Sequence, residues 1–359
     1  MYTNKEIWNV SYPIFLGLLA QNIINVTDTA FLGRVGEVEL GASAMGGLFY
    51  ICVFTIAFGF SVGSQILIAR RNGEGRYKDV GPVMIQGGTF LLGLAVLMFG
   101  LTHLLAPSIV RLLISSDSIF DATMEFLNWR IWGFFFAFVN VMFRALYIGI
   151  TRTKVLTMNA VVMALVNVLL DYILIFGKFG MPEMGIKGAA VASVMAEAAS
   201  LAFFLIYTYA KVDFKKFGLN HWQKIDFSLL GKILSISCFT MIQYFLAMAT
   251  WFVFFIAIER LGQRELAIAN IVRSIYIVML IPVQALSTTT NSLVSNLIGA
   301  GEQDCVRGTI RQHIRIGYIF VLPILIFFCL FPDLILRIYT DMPDLRAASA
   351  PSLWVLCSA

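Results

Sequence analysis

The sequence predicts an all-α integral membrane protein, and three observations carry that prediction. Of 359 residues, 59% are hydrophobic and 13% charged, where soluble domains carry about 25% charged residues. Runs of 17 or more apolar residues, bounded by charge, glycine or proline, recur along the chain and fit the length needed to cross a bilayer as helix. The chain also aligns with itself at an offset of 226 positions, the signature of an internal repeat.

The first span is expected at about 7 to 32; its opening, MYTNKEIWNV, runs into an apolar stretch too long for a signal peptide and lacking a small-residue cleavage site. The second, about 41 to 69, ends at Arg70 and Arg71, and the third, about 83 to 104, follows the loop NGEGRYKD. The fourth, about 124 to 148, ends before TRTK, and the fifth, about 155 to 176, ends at GKFG. The sixth, about 186 to 210, stops at KVDFKKFGLNHWQKID, a polar connector. Three more are expected at about 228 to 258, 266 to 297 and 312 to 333, with a tenth beginning near 348 and cut off. That makes about nine complete transmembrane helices plus the start of a tenth.

Several function classes drop out early. The five cysteines (Cys52, Cys238, Cys305, Cys329, Cys357) are odd in number and lie mostly in or beside apolar runs, so they suggest no disulfide framework. The net charge of +5 comes from Lys and Arg in short loops, where membrane topology explains them, so no nucleic-acid partner is implied. His103, His221 and His313 have no ligand spacing, and no cofactor or structural metal is expected. No acidic metal-binding cluster or nucleophile with a base marks a membrane-embedded enzyme.

With the N-terminus cytoplasmic, sixteen Lys and Arg fall on the inner side and nine, Arg130 among them, on the outer, leaving Arg273 within a span. The bias puts the N-terminus inside, as expected of a multi-pass protein of the cell inner (plasma) membrane. The 226-residue offset aligns GRVGEVEL with ERLGQREL, pairing Arg34 with Arg260, and GFSVGSQILIARRNGEGRYKDV with ALSTTTNSLVSNLIGAGEQDCV, with Gly73 on Gly299 and Gly75 on Gly301. Because the match pairs the second helix with the eighth, the unit is six helices, and two such units point the same way. The expected division is residues 1–215 for the N-terminal lobe and 216–359 for an incomplete C-terminal lobe. Two full units at this repeat length need about 440 residues, so a fragment is the expected status of the chain, a natural truncation being the alternative.

Charge within the spans points to function. In VMALVNVLLDYILIFG, Asn167 and Asp171 stand one helical turn apart near the middle of the fifth span. In QNIINVTDTAFLG of the first span, Gln21, Asn25 and Asp28 form a polar stripe. A carboxylate near the bilayer centre costs roughly 2.5 to 3.5 kcal/mol and usually serves a pathway. The bland alternatives are an extracellular-loop contact for Asp28 and an interhelical hydrogen bond for Asn167 with Asp171. The functional reading joins Asp28 and Asp171 in a proton or cation site, with Asn25 and Asn167 supplying neutral oxygens and amide donors. Pro13 removes one backbone hydrogen bond from the first helix and makes it a bending element, static packing being the alternative. Tyr244, Met248 and Trp251 are candidates, with Gln21, for a path taken by flat organic cations; lipid or packing contact is the alternative. Glu197 is either a further member of the cation site or a packing residue.

Taken together, Pro13 followed fifteen residues later by Asp28, the LGRVGEVELGA turn, GSQILIARRNGEG, FRALYIGITRTK, VNVLLDYILIFG and GIKGAAVAS resemble the multidrug and toxic compound extrusion (MATE) transporters. The resemblance runs from the first helix to the end of the chain. It implies two six-helix lobes forming a V around a substrate path that opens alternately outward and inward. In the branch whose coupling site lies in the N-terminal lobe, it implies cation binding at the positions of Asp28, Asn167 and Asp171, joined by a hydroxyl for which Ser193 is the candidate. The repeat partner of Asp28 is Phe254, and that of Pro13 is Phe239, so the second lobe lacks both features. The expectation is a monomeric antiporter driven by H+ or Na+, exporting small organic, cationic drugs or metabolites across the lipid bilayer. The alternative is a lipid-linked oligosaccharide flippase of related build, for which several intramembrane cations are expected where Arg273 alone stands clearly inside a span.

Overall fold

The structure, a computed structural model, describes residues 2–114, 116–220, 224–259, 263–337 and 343–358. His221 and Arg260 lie outside the described residues. Within them the chain is helical, without a β-strand, and nine helical segments are long and apolar enough to cross a membrane.

The helices are α1 (Asn4–Val35), α2 (Glu37–Gly73), α3 (Val80–Leu113), α4 (Asp117–Arg130), α5 (Phe134–Gly149), α6 (Lys154–Ile175), α7 (Gly185–Lys211), α8 (Phe214–Phe217), α9 (Phe227–Glu259), α10 (Gln263–Gly299), α11 (Asp304–Leu330), α12 (Pro332–Leu336) and α13 (Pro343–Ser358). The side of the bundle on which α1 begins is called the near face, and the side on which it ends the far face. Helix α1 starts in a capping box: Glu6 N donates to Thr3 Oγ1 at 3.3 Å and Thr3 N donates to Glu6 Oε2 at 2.7 Å, satisfying two end groups reciprocally.

The fourth span departs from expectation. The sequence reads as one helix from about 124, whereas the segment Asp117–Gly149 is two helices, α4 and α5, joined by a 3₁₀ turn at Ile131–Gly133. Arg130 sits at that break, inside the span and not in an outer loop.

Helix α2 and helix α10 begin and end at positions 226 apart, the offset of the sequence repeat. They also touch in a pseudo-symmetric way. A Cβ on Gly73 would stand 2.0 Å from the Asn296 carbonyl oxygen, and one on Gly299 would stand 2.1 Å from that of Arg70; residues 70 and 296 are themselves repeat partners. Glycine at both positions lets the two backbones meet. A seam of hydrogen bonds extends this contact: Asn72 Nδ2 donates to Asn296 Oδ1 at 2.7 Å, Ser292 Oγ to the Ile148 carbonyl at 2.6 Å, and Ser237 Oγ to the Phe60 carbonyl at 3.0 Å. The seam lies in the near-face halves of α2, α9 and α10.

The polar connector is tied down as well. Asp213 caps α8 by accepting from Lys215 N and Lys216 N, and Gly218 ends it with φ +66° against the Lys78 carbonyl. Gln86 Nε2 donates to the Lys224 carbonyl at 2.7 Å.

Replacing Gly299 by Val forces α2 and α10 apart and opens the near-face seam. In a background with the five native cysteines replaced by serine, Ser292→Cys, fully buried here, is expected to resist a water-soluble maleimide. Adding Gly299→Val is expected to accelerate its labelling about tenfold, the population change produced by about 1.4 kcal/mol of overpacking.

Candidate functional site

Helices α1 and α6 run side by side from the near face to the far face. Near-face contacts come first: Thr153 Oγ1 donates to the Val10 carbonyl and Thr157 Oγ1 to the Pro13 carbonyl, both at 3.0 Å. Helix α1 is continuous across Pro13, which is buried. The proline lacks the N–H that would bond back one turn, and the two threonines hold the weakened stretch against α6.

At the other end of the same pair, the Asp28 carboxyl lies within hydrogen-bonding reach of Asp171 and Asn167. Asp171 is 0% and Asn167 1% exposed. Asp28 Oδ1, both carboxyl oxygens of Asp171 and both amide atoms of Asn167 are buried, with no protein hydrogen bond of good geometry. Two ionised carboxylates hold no proton with which to bond one another. The cluster is therefore a set of oxygen donors whose own demands the protein leaves unmet, in surroundings where an unmet polar group is costly. Oxygen ligands of this kind suit a proton or a hard cation.

The other predicted residues are placed differently. Gln21 and Asn25 are exposed, and no hydrogen bond links the Asn25 side chain to the carboxylates. Ser193 is half-buried on α7 and makes no hydrogen bond with Asn167, Asp171 or Asp28 Oδ1. On α9, Tyr244 is 37% exposed and meets Phe58 edge-on at 5.1 Å, while Trp251 is 38% exposed and packs on Tyr276 at 5.5 Å. Met248 is half-buried on the same helix.

Sequence reading missed Arg130 and Tyr50. Arg130 Nη2 donates to Glu197 Oε1 at 2.6 Å and Nη1 to Oε2 at 3.0 Å, a bidentate ion pair linking α4 to α7. Tyr50 Oη donates to the same carboxylate at 3.1 Å, and the guanidinium carbon sits 3.6 Å from the centre of the Tyr50 ring. That ring stacks on Phe134 at 4.8 Å. Asn140 Nδ2 fixes the backbone carbonyl of Glu197 at 2.9 Å. Gly133, at the helix break, leaves room for all of this: a Cβ there would stand 2.3 Å from both Arg130 Nη1 and Glu197 Oε2. Helix α5 places a second guanidinium within the span, Arg144, 5.3 Å from the Phe58 ring centre. Arg273 is thus not alone inside a span. The signal available in the sequence was the arginine of NWRIWGFFFAF, a lone charge between apolar stretches.

Nine apolar spans among the described residues, a repeated helix register and buried carboxyl oxygens of Asp28 and Asp171 without a hydrogen bond point to a multi-pass membrane protein of transporter class. The MatE family profile matches residues 13–173 and 237–357. The chain belongs to that family, the multidrug and toxic compound extrusion transporters, whose members are transporters and not enzymes. It is 25% identical over 345 residues to the probable multidrug resistance protein NorM of Thermotoga maritima, covering 95% of this chain and 73% of that protein. It is 29% identical over 212 residues to a protein of the same name from Agrobacterium fabrum, covering 58% and 44%. A solved multidrug resistance MATE family transporter in an outward-facing conformation matches with a TM-score of 0.89 at 20% identity, covering 98% of this chain and 78% of that one. Structures of MATE described as bent and as straight match alike, at TM-scores of 0.88 and 0.89. The flippase alternative gains no support from these relatives.

Gly133→Ala is expected to lower stability by about 1 to 3 kcal/mol through overpacking against the ion pair, seen as a lower melting temperature of the purified protein in detergent. Gly88→Ala, where a Cβ meets nothing within 4 Å, is the control expected to melt with wild type.

Proposed function

We propose that this chain is a cation-coupled antiporter that exports small organic cations by alternating access, with H+ or Na+ bound at Asp28, Asn167 and Asp171. The observation that supports it most directly is the pairing of two carboxyl groups from α1 and α6 inside one lobe, with the oxygens of Asp171 fully buried and unbonded. Two neighbouring buried carboxylates do not both stay ionised without a counter-charge. A proton or a sodium ion supplies it, and its loss restores the repulsion, so occupancy of the site and the packing of α1 against α6 are linked. The oxygen donors suit either ion.

The N-terminus is taken as cytoplasmic, which makes the near face the inner face and the hydrogen-bonded seam an inner closure. Substrates would enter between the lobes, where aromatic side chains such as Tyr244 and Trp251 stand exposed on α9. Multidrug resistance is the term carried in the names of the relatives. Arg130 is neutralised by Glu197 and Arg144 is packed on Phe58, so neither guanidinium offers the open phosphate cavity that a flippase needs.

The test is efflux of a fluorescent organic cation from liposomes carrying the protein, with H+ and Na+ gradients imposed separately. Asp28→Asn and Asp171→Asn are each expected to cut gradient-driven efflux about tenfold or more while the protein still reaches the bilayer. Wild-type efflux in both variants overturns the site. No efflux of any organic cation by the wild type overturns the antiporter reading.

A further inference from the structure

Helix α11 carries a groove of about 610 Å³ lined by that helix alone, with Arg311 and Arg315 at its near-face end and Tyr318, Ile319, Leu322 and Pro323 along its length. All six side chains are exposed, and neither arginine joins an ion pair or hydrogen bond among the described residues. One helical turn apart, the two guanidinium groups repel each other, a cost that an anion between them removes. Residues 316–331 then run without a charge, about 24 Å of helix against a hydrocarbon core of about 30 Å. The arginines therefore stand at the near-face edge of the membrane, where long basic side chains reach the headgroups.

The internal repeat identifies this face. Arg315, Ile319 and Pro323 fall 226 positions after Thr89, Gly93 and Leu97, and those three line a second groove, of about 300 Å³, on α3. In the first lobe, whose six spans are all present, Leu92, Val96 and Leu97 are exposed, so in a lobe of six helices this face is turned outward, to lipid. The two grooves differ in how they are filled and charged. On α3 the connector sets Ile225 and Phe227 against the groove, anchored by the hydrogen bond from Gln86 to the Lys224 carbonyl, and the repeat positions of Arg311 and Arg315 are Ile85 and Thr89. On α11 both positions are cationic and one helix supplies the whole lining. Membrane topology asks for Lys and Arg near a cytoplasmic face, but it does not ask for two of them one turn apart at the mouth of an apolar groove. We propose that this groove binds an anionic phospholipid of the near-face leaflet, its phosphate held between Arg311 and Arg315 and an acyl chain lying along Tyr318, Ile319, Leu322 and Pro323. The guanidinium fork matches phosphate oxygens in shape as well as charge. The site is separate from Asp28 and Asp171, and it stands or falls independently of cation coupling.

The experiment is native mass spectrometry of the detergent-solubilised chain, titrated with phosphatidylglycerol or with phosphatidylcholine of the same acyl chains. The quantity read is the dissociation constant of the first bound lipid. Wild type is expected to bind phosphatidylglycerol about tenfold more tightly than phosphatidylcholine, since two arginines face its net charge. Arg311→Gln with Arg315→Gln is expected to bring the two lipids within about twofold of each other. Lys211→Gln with Lys215→Gln removes two charges from the connector, outside the groove, and is expected to keep the wild-type preference. All four side chains are exposed, so both double variants are expected to melt with wild type. Glycerol phosphate, which carries the anion without the chains, is expected to leave bound phosphatidylglycerol in place at equal concentration; displacement there reduces the groove to a free-anion site and overturns the lipid assignment. No preference in wild type, an unchanged preference in the arginine pair, or an equal loss in the lysine pair overturns the proposal as well.

Discussion

The constraint on which this architecture turns is the cost of leaving a polar group unanswered inside a membrane. Water is absent to satisfy it, so each donor, acceptor and charge must be met within the protein. Most are met here. Tyr147 bonds Thr208 at 2.7 Å, and Asn159 exchanges hydrogen bonds with Ser200 across α6 and α7. Arg130 and Glu197 answer each other through two hydrogen bonds, a third from Tyr50 and an aromatic face. Against that background the Asp28, Asn167 and Asp171 cluster stands out because its demands are not met from within. A fully satisfied network resists rearrangement, while an unsatisfied one gains free energy from whatever binds it. The Arg130–Glu197 pair is thus held from within the protein, whereas the Asp28, Asn167 and Asp171 cluster is not.

Backbone architecture supports that division. The break at Ile131–Gly133 interrupts a span that would otherwise be one helix. Discontinuous membrane helices are tolerated where their freed backbone groups and charged side chains are enclosed by protein. Glycine at 133 is what allows enclosure here, since any side chain would occupy the space of the ion pair. Tight packing of Tyr50 on Phe134 then holds α2 to the start of α5, so the break is fixed.

How much of this could be read from the sequence depends on the range of the interaction. Spans are legible because apolar length is a local property, and the repeat is legible because α2 and α10 keep their bounds at the 226-residue offset. Asn167 and Asp171 are legible as one face because i and i+4 coincide on any helix. The same periodicity puts Asn25 beside Asp28, yet Asn25 is exposed: helical phase gives a direction, and whether a neighbouring helix covers it is decided by tertiary packing. Arg130 was counted with the outer segments because its partner is 67 residues away on another helix. Counting Lys and Arg by loop has no means of detecting a charge that is neutralised in the interior.

The α1–α6 pair ties these parts into one mechanical unit. Two of its contacts, Pro13 with Thr157 near one face and Asp28 with Asp171 toward the other, are separated by 15 residues on α1 and 14 on α6, about 21 to 22 Å along the helices. Two rungs at nearly equal spacing keep parallel helices in register. A bend in α1 at Pro13 lengthens one side of this ladder relative to the other, so it strains the threonine hydrogen bonds and changes the separation of the carboxyl groups together. The repeat positions of Pro13 and Asp28 are Phe239 and Phe254, which offer neither the proline nor the carboxyl of these rungs. The repeat therefore supplies a symmetric contact between backbones at Gly73 and Gly299, while the acidic rung at Asp28 has no counterpart at its repeat position, Phe254.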